Sequence, residues 1–280
     1  MLFEQTERKR VKSVFSKIVS PDVVNELLQA ETLALGGARR EVTVFFADVR
    51  GFTEFTDRSH EAATQYVQAN RLIDTAATEY FDRQAAEALG TVNQYLACVA
   101  DTVKLHGGTL DKYIGDCVMA FWGAPTPNPQ HAVACVRAAI DAQRGIHELN
   151  QRRAAENRRL EEENKTLMAA GQSPNPLVPL LTLGSGINTG LATVGLMGSD
   201  AHILNYTVFG RDVNLASRLE GVSGRGRIII SHATYEQLRR DDTGLAASCV
   251  QLAPVEVKGF RETIPIYEVP WQQDAPAAGQ

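Results

Sequence analysis

Two carboxylates stand alone where the sequence can least tolerate them. Asp48 ends the run Val42-Thr43-Val44-Phe45-Phe46-Ala47. Asp116 sits at the tip of a second short stretch, Gly108 to Gly123. The first run is β-branched and aromatic, which marks a buried central strand. An aspartate dried out at the end of such a strand is costly unless something pairs with it. A cation removes that cost. Two strand-end carboxylates without a Cys/His cluster suit a hard ion, Mg²⁺ or Mn²⁺, rather than zinc. By itself Asp116 would be ordinary turn chemistry; the second carboxylate is what makes it a candidate ligand.

The elements that must hold these groups follow from the pattern. Thr109 to Trp122 reads as a hairpin, with Leu110 and Tyr113 before the turn and Val118, Ala120 and Trp122 alternating after it. Gly115 can take the positive φ of the turn. Helical spacing runs from Ser59 to about Ala88 and again from Val92 to His106. His106 has no second histidine at metal spacing, so a structural role is expected. His131 to Asn150 is the next helix, and its polar continuation, 151–165, carries Arg152/Glu156, Arg158/Glu162 and Arg159/Glu163 four apart. A Gly/Ser/Pro-punctuated loop follows to Pro179. Strands are expected over Pro179–Thr189, Leu191–Leu196 and Ile203–Gly210, then a helix over Arg211–Val222. A strand at Arg227–Ser231, a helix to Arg240 and strands over Ser248–Val257 and Ile264–Val269 complete the order. Several strands are joined by tight turns, which argues α+β rather than a parallel doubly wound sheet.

Ahead of all this, residues 1–40 read as a helical lead-in. Val14, Phe15, Ile18 and Val19 form one stripe. Ser20-Pro21-Asp22 starts a second helix with Val23, Val24, Leu27 and Leu28 on its apolar face. Gly36-Gly37 is expected to end the segment. Residues 271–280 read as a frayed tail.

Composition narrows the classes. A net charge of -5 argues against a general nucleic-acid-binding surface. No apolar run reaches the length of a membrane span. Four cysteines without CxxC spacing fit free thiols in a reducing cytosol.

Three stretches carry a family resemblance: Phe46-Ala47-Asp48-Val49-Arg50-Gly51-Phe52-Thr53, Asp111-Lys112-Tyr113-Ile114-Gly115-Asp116, and Val213-Asn214-Leu215-Ala216-Ser217-Arg218. In order and separation they resemble the catalytic core of a class III nucleotidyl cyclase, over about Glu41 to Val269. The resemblance implies a ferredoxin-like βαββαβ core with a mostly antiparallel sheet and an added subdomain. Residues 41–270 would be the catalytic domain, with 151–178 a polar helix extension and loop. About twenty residues between Thr64 and Val92 exceed the common pattern, and a lengthened helix pair packed on the lead-in is expected there. Lead-in segments of this kind couple an upstream regulatory domain to the core. The chain is therefore expected to be a stand-alone cyclase or the cytoplasmic catalytic portion of a longer protein.

The reaction implied is conversion of ATP to 3′,5′-cyclic AMP and pyrophosphate, assisted by two divalent cations, Mg²⁺ or Mn²⁺. Asp48, Asp116 and the Val49 carbonyl would hold them. Asn214 and Arg218 lie four apart on one helical face, away from Val213, Ala216 and Leu219. The resemblance gives Asn214 the ribose and Arg218 the α-phosphate, with Lys258 on the terminal phosphates. Lys112 and Thr207 would read the base. A threonine hydroxyl can accept from the adenine 6-amino group, and Lys112 opposes the donors of guanine, so ATP is expected over GTP. The same threonine marks a subgroup in which bicarbonate stimulation is often met, which makes bicarbonate a candidate partner.

Lys112 and Asp116 share one small hairpin, and a compact nucleotide cannot easily meet both from one copy. In the family the site lies between two subunits. Asp48 and Asp116 come from one, and Lys112, Thr207, Asn214, Arg218 and Lys258 from the other. A head-to-tail homodimer with two sites is expected. A guanylate cyclase, a catalytically spent domain of the same fold and a different two-aspartate phosphoryl-transfer enzyme stand as alternatives. The last is disfavoured by the Asn214/Arg218 pair and by the lack of a GGDEF-like run.

Overall fold

Val42, Val44 and Phe46 bury one side of the first strand, and Phe45, Ala47 and Val49 bury the other. That two-sided burial is why the strand sits at the centre of the sheet. The computed structural model of the protein describes residues 20, 23–24, 36–172, 174–199 and 204–272. The strand, β1, runs over Gly36–Arg50, five residues earlier than the expected start of the domain. Its ladder is the reason: it pairs with the long strand β4, Thr182–Gly198, from Gly36 opposite Leu196 to Arg50 opposite Thr182. Of the lead-in, the Val24 N–H donates to the Ser20 carbonyl at 3.0 Å, the first turn of the expected helix. The stripe of Val14, Phe15, Ile18 and Val19, with Leu27 and Leu28, lies outside the described residues.

After β1 come two helices, α1 over Phe52–Ala69 and α2 over Asp74–Leu105. The break falls at 70–73, not at 88–92 as the spacing suggested. Arg71 and Asp74 both take positive φ there, while Gly90 is absorbed within α2. Residues 64–92 lie in this helix pair, with Tyr66 and Tyr80 stacked at 4.5 Å between the helices; most of the lead-in on which the pair was expected to pack lies outside the described residues. The hairpin β2, Thr109–Ile114, and β3, Cys117–Trp122, turns at Gly115 with φ 64°. Then α3 runs unbroken over His131–Ala169. Of its three expected i,i+4 ion pairs, Arg159–Glu163 is formed, at 3.6 Å. The loop behind it is pinned rather than loose: Asn164 holds both backbone groups of Asn175, and Asn157 both of Val178. His106 has the structural role expected, meeting Asp141 at 2.8 Å.

The last third gives β5, Leu204–Phe209; α4, Arg211–Ser223; β6, Arg227–Ser231; α5, His232–Asp241; α6, Thr243–Ser248; β7, Val250–Gln251; and β8, Ile266–Glu268. The two strands expected between Pro179 and Leu196 are one, β4. The strand expected over Ser248–Val257 contracts to β7 and a single bridge, Val255 to Ile264.

Strands are ordered β2-β3-β1-β4-β6-β8-β7, with β5 paired to the far half of β4. The first four in that order are the antiparallel βαββαβ core, and the β4–β6 pair is parallel. The fold is therefore α+β with a mostly antiparallel sheet. One face packs Phe45, Ala47 and Val49 against α2 and α3. The other packs Val42, Val44 and Phe46 against β5 and the start of α4. There α4 lies almost on the sheet. A Cβ on Gly186 would come within 2.0 Å of the Glu220 backbone nitrogen, so only glycine permits the approach. Among the described residues, no helix is long and apolar enough to cross a membrane.

Candidate active site

Alternation along β1 puts Asp48 and Arg50 on the same face as Val42, Val44 and Phe46, the face covered by α4. Asp48 pairs in register with Cys117, one residue past the hairpin turn. The Val49 N–H donates to the Asp116 backbone carbonyl at 3.2 Å. The end of β1 is therefore tied to the hairpin tip, and the two carboxylates feel each other. Burial raises the Asp48 carboxyl above its ordinary value, the Asp116 charge raises it further, and Arg50 opposes both.

Arg50 bridges two acids: one nitrogen donates to Asp48 at 2.9 Å, the other to the Glu220 carboxylate and to the Glu220 carbonyl at 2.9 Å. Glu220 is a third carboxylate in this corner. Burial pushes it up to about 7, against Arg50 and with help from Asp48 and Asp116. The sequence did not single out Glu220. Its spacing from Asn214 and Arg218 on α4 gave no sign that the end of β1 would reach it.

This corner fits a hard cation. Among the described residues, no three His, Cys, Asp or Glu side chains are arranged to hold a metal by themselves. Mg²⁺ and Mn²⁺ do not need such a cage, since they bind through one or two carboxylates and take other oxygens from water and phosphate. Asp48 and Asp116 supply that number. The negative charge is in excess, because one guanidinium serves both Asp48 and Glu220 while Asp116 adds a third carboxylate.

A second cluster forms where β2 meets β5. The Lys112 ammonium lies 3.3 Å from the Thr207 hydroxyl, so the two residues expected to share the base are brought together in one chain. The sequence did not single out the residue between them. Asp111, its side chain 1% exposed, accepts the Thr207 hydroxyl proton and meets Lys112 at 3.2 Å. Burial raises its carboxyl, and the Thr207 hydroxyl, Lys112 and the Val208 N–H oppose that rise.

Asn214 and Arg218 are both exposed on α4, and Lys258 is exposed beyond the Val255 bridge. None of these three side chains has a hydrogen-bond or ion-pair partner among the described residues. The face of α4 opposite them is buried through Val213, Ala216 and Leu219.

A family model for the adenylate and guanylate cyclase catalytic domain matches residues 37–269, almost the whole described chain. The chain belongs to that family. Among relatives of this cyclase domain, an adenylate cyclase of Anabaena cylindrica is 26% identical over 262 residues, 92% of this chain and 41% of that protein. Adenylate cyclase 1 of Rhizobium meliloti is 27% identical over 232 residues, 82% of this chain and 28% of that protein. The chain thus spans less than half of either relative. Among solved structures, the adenylyl cyclase CyaB from P. aeruginosa is 33% identical with a TM-score of 0.59, covering 86% of this chain and 98% of that one. The guanylyl cyclase Cya2 is 26% identical with a TM-score of 0.57, covering 87% and 98%. The family is settled by these matches, and both nucleotide specificities occur among them.

Proposed function

We propose that this cyclase domain is an adenylate cyclase, active as a head-to-tail homodimer with two shared sites. The observation that carries the proposal is the presence in one chain of two separate, intact half-sites. One is the acidic corner of Asp48, Asp116 and the Val49 carbonyl. The other is the Lys112–Thr207 pair with the exposed Asn214, Arg218 and Lys258.

The reaction is intramolecular in the nucleotide: the ribose 3′-hydroxyl attacks the α-phosphorus and pyrophosphate leaves. The protein's work is to fold the substrate and offset developing charge. Lys112 donates to adenine N1 and Thr207 accepts from the 6-amino group. Asn214 orients the ribose. Arg218 lies against the α-phosphate and offsets charge as phosphorus becomes five-coordinate. Lys258 holds the terminal phosphates. Asp48, Asp116 and the Val49 carbonyl would hold a pair of Mg²⁺ or Mn²⁺ ions, which when bound would acidify the 3′-hydroxyl and neutralise the triphosphate. The residues ahead of Gly36 act as a coupling segment to an upstream regulator, and the domain works in the cytoplasm. Bicarbonate, inferred from the same threonine, is checked by adding it to the assay.

The test is complementation. Asp48→Ala and Asn214→Ala chains are each expected to be inactive alone with ATP and Mn²⁺. Mixed, they should regain cyclic AMP formation through one good site per heterodimer. No recovery on mixing would sink the shared site. Cyclic GMP as the main wild-type product would replace the adenylate assignment with the guanylate one.

A further inference from the structure

Neighbouring residues on a strand face opposite sides, so Asp111 and Lys112 should not reach the same partner. Both reach Thr207. The register explains it: Leu110 pairs with Ala120 and Lys112 with Met119, leaving Asp111 as the extra residue of a β-bulge. A bulge re-aims side chains locally. Here it brings a buried carboxylate behind the two groups proposed to meet the base.

The hydrogen bonding then has one consistent direction. An ionised carboxylate only accepts, so Thr207 must donate its single proton to Asp111. An ammonium only donates, so Lys112 donates both to Asp111 and to the Thr207 oxygen. What remains on Thr207 is a lone pair, and what remains on Lys112 is an N–H. Adenine presents a ring acceptor and an amino donor, which match this pair. Guanine presents a ring N–H and a carbonyl, which oppose it at both places.

We propose that Asp111 is a specificity-determining positioning residue: by taking the Thr207 proton and one Lys112 proton, it fixes that pair as acceptor and donor in the order adenine requires. The proposal rests on Lys112 and Thr207 facing the base, as argued under the proposed function. Without Asp111, the threonine hydroxyl is free to turn its proton outward and serve either base.

The experiment is steady-state kinetics of the full chain with ATP, GTP and inosine triphosphate, which carries the guanine-type carbonyl and ring N–H without the 2-amino group. Asp111→Asn keeps the size but can donate to the Thr207 oxygen. It is expected to lower the ratio of kcat/KM for ATP over either competitor by about tenfold or more, chiefly through KM. An equal loss for all three nucleotides would mean a purely structural role and overturn the proposal. Lys112→Ala and Thr207→Val separate the two levels. If neither changes the ratio, the base-facing assignment fails and Asp111 falls with it. If both collapse it while Asp111→Asn does not, the assignment stands and only the role of Asp111 is lost. Should Asp111→Asn not fold, Thr207→Asn asks the same question with Asp111 in place. The new amide would give its N–H to Asp111 and its oxygen to the base, so ATP should stay preferred. A switch towards GTP would overturn the proposal.

Discussion

Asp48 and Asp111 are both strand aspartates, both pushed up by burial, and their surroundings differ in kind. Around Asp48 the next largest influence is another carboxylate, Asp116, and its one cation is shared with Glu220. Around Asp111 every other influence is a donor: the Thr207 hydroxyl, the Lys112 ammonium and the Val208 N–H. The first corner is short of positive charge; the second is balanced. A corner short of positive charge gathers cations, while a balanced one holds neighbouring groups in fixed orientations. The same residue type thus meets two different electrostatic settings, set by what faces it.

The sharpest way to break this contrast is to neutralise each acid in turn. If Asp48 holds a metal as proposed, Asp48→Asn should cut cyclase activity about a thousandfold. It should leave the melting temperature unchanged or raise it, because it removes like-charge repulsion. Mn²⁺ should raise the melting temperature of the wild type, by binding the folded form, and not that of the variant. A marked destabilisation of Asp48→Asn would show that Asp48 is as well compensated as Asp111.

Asp111→Asn should do the opposite to stability. It takes an acceptor from the Thr207 hydroxyl, the Val208 N–H and the ammonium, and only part of that is regained by the amide. A cost of about 1–3 kcal/mol is expected, read from urea unfolding as a lower midpoint at unchanged slope. An unchanged midpoint would remove the donors from the account of the second corner.

The two corners were unequally legible in the sequence. Asp48 and Asp116 stood out because each interrupts an apolar pattern, and along β1 that pattern survives folding: Asp48 interrupts the buried positions between Ala47 and Val49. Lys112 and Thr207 came from motif position, and the structure joins them at 3.3 Å. Asp111 could not be found by alternation, because the bulge that turns it breaks alternation. Arg50 and Glu220 were missed for a related reason. Their contact needs α4 to lie almost on the sheet over Gly186, and a close approach across 34 residues leaves no periodic trace. The break between α1 and α2 was placed late because helical spacing continues on both sides of it, and the positive φ of Arg71 and Asp74 that marks it leaves no periodic signal.

A third buried titratable group isolates burial from charge, and its expected effect is the smallest. His131 begins α3 and meets the Thr43 hydroxyl at 2.7 Å, in a chain of hydroxyls through Thr189 and Thr234. Burial lowers its pKa below 6.5, with Arg240 adding to the effect and Glu41 and Asp241 opposing it. The unfolded chain then takes a proton at a higher pH than the folded one. Stability from this site is complete above the ordinary histidine value, falls as the pH drops through it, and levels off below the lowered folded value. His131→Gln, which keeps a polar group for Thr43, should flatten that part of the melting-temperature profile against pH. An unchanged slope would show that Glu41 and Asp241 offset the burial, and that neighbouring charge rather than dryness governs the buried groups of this sheet.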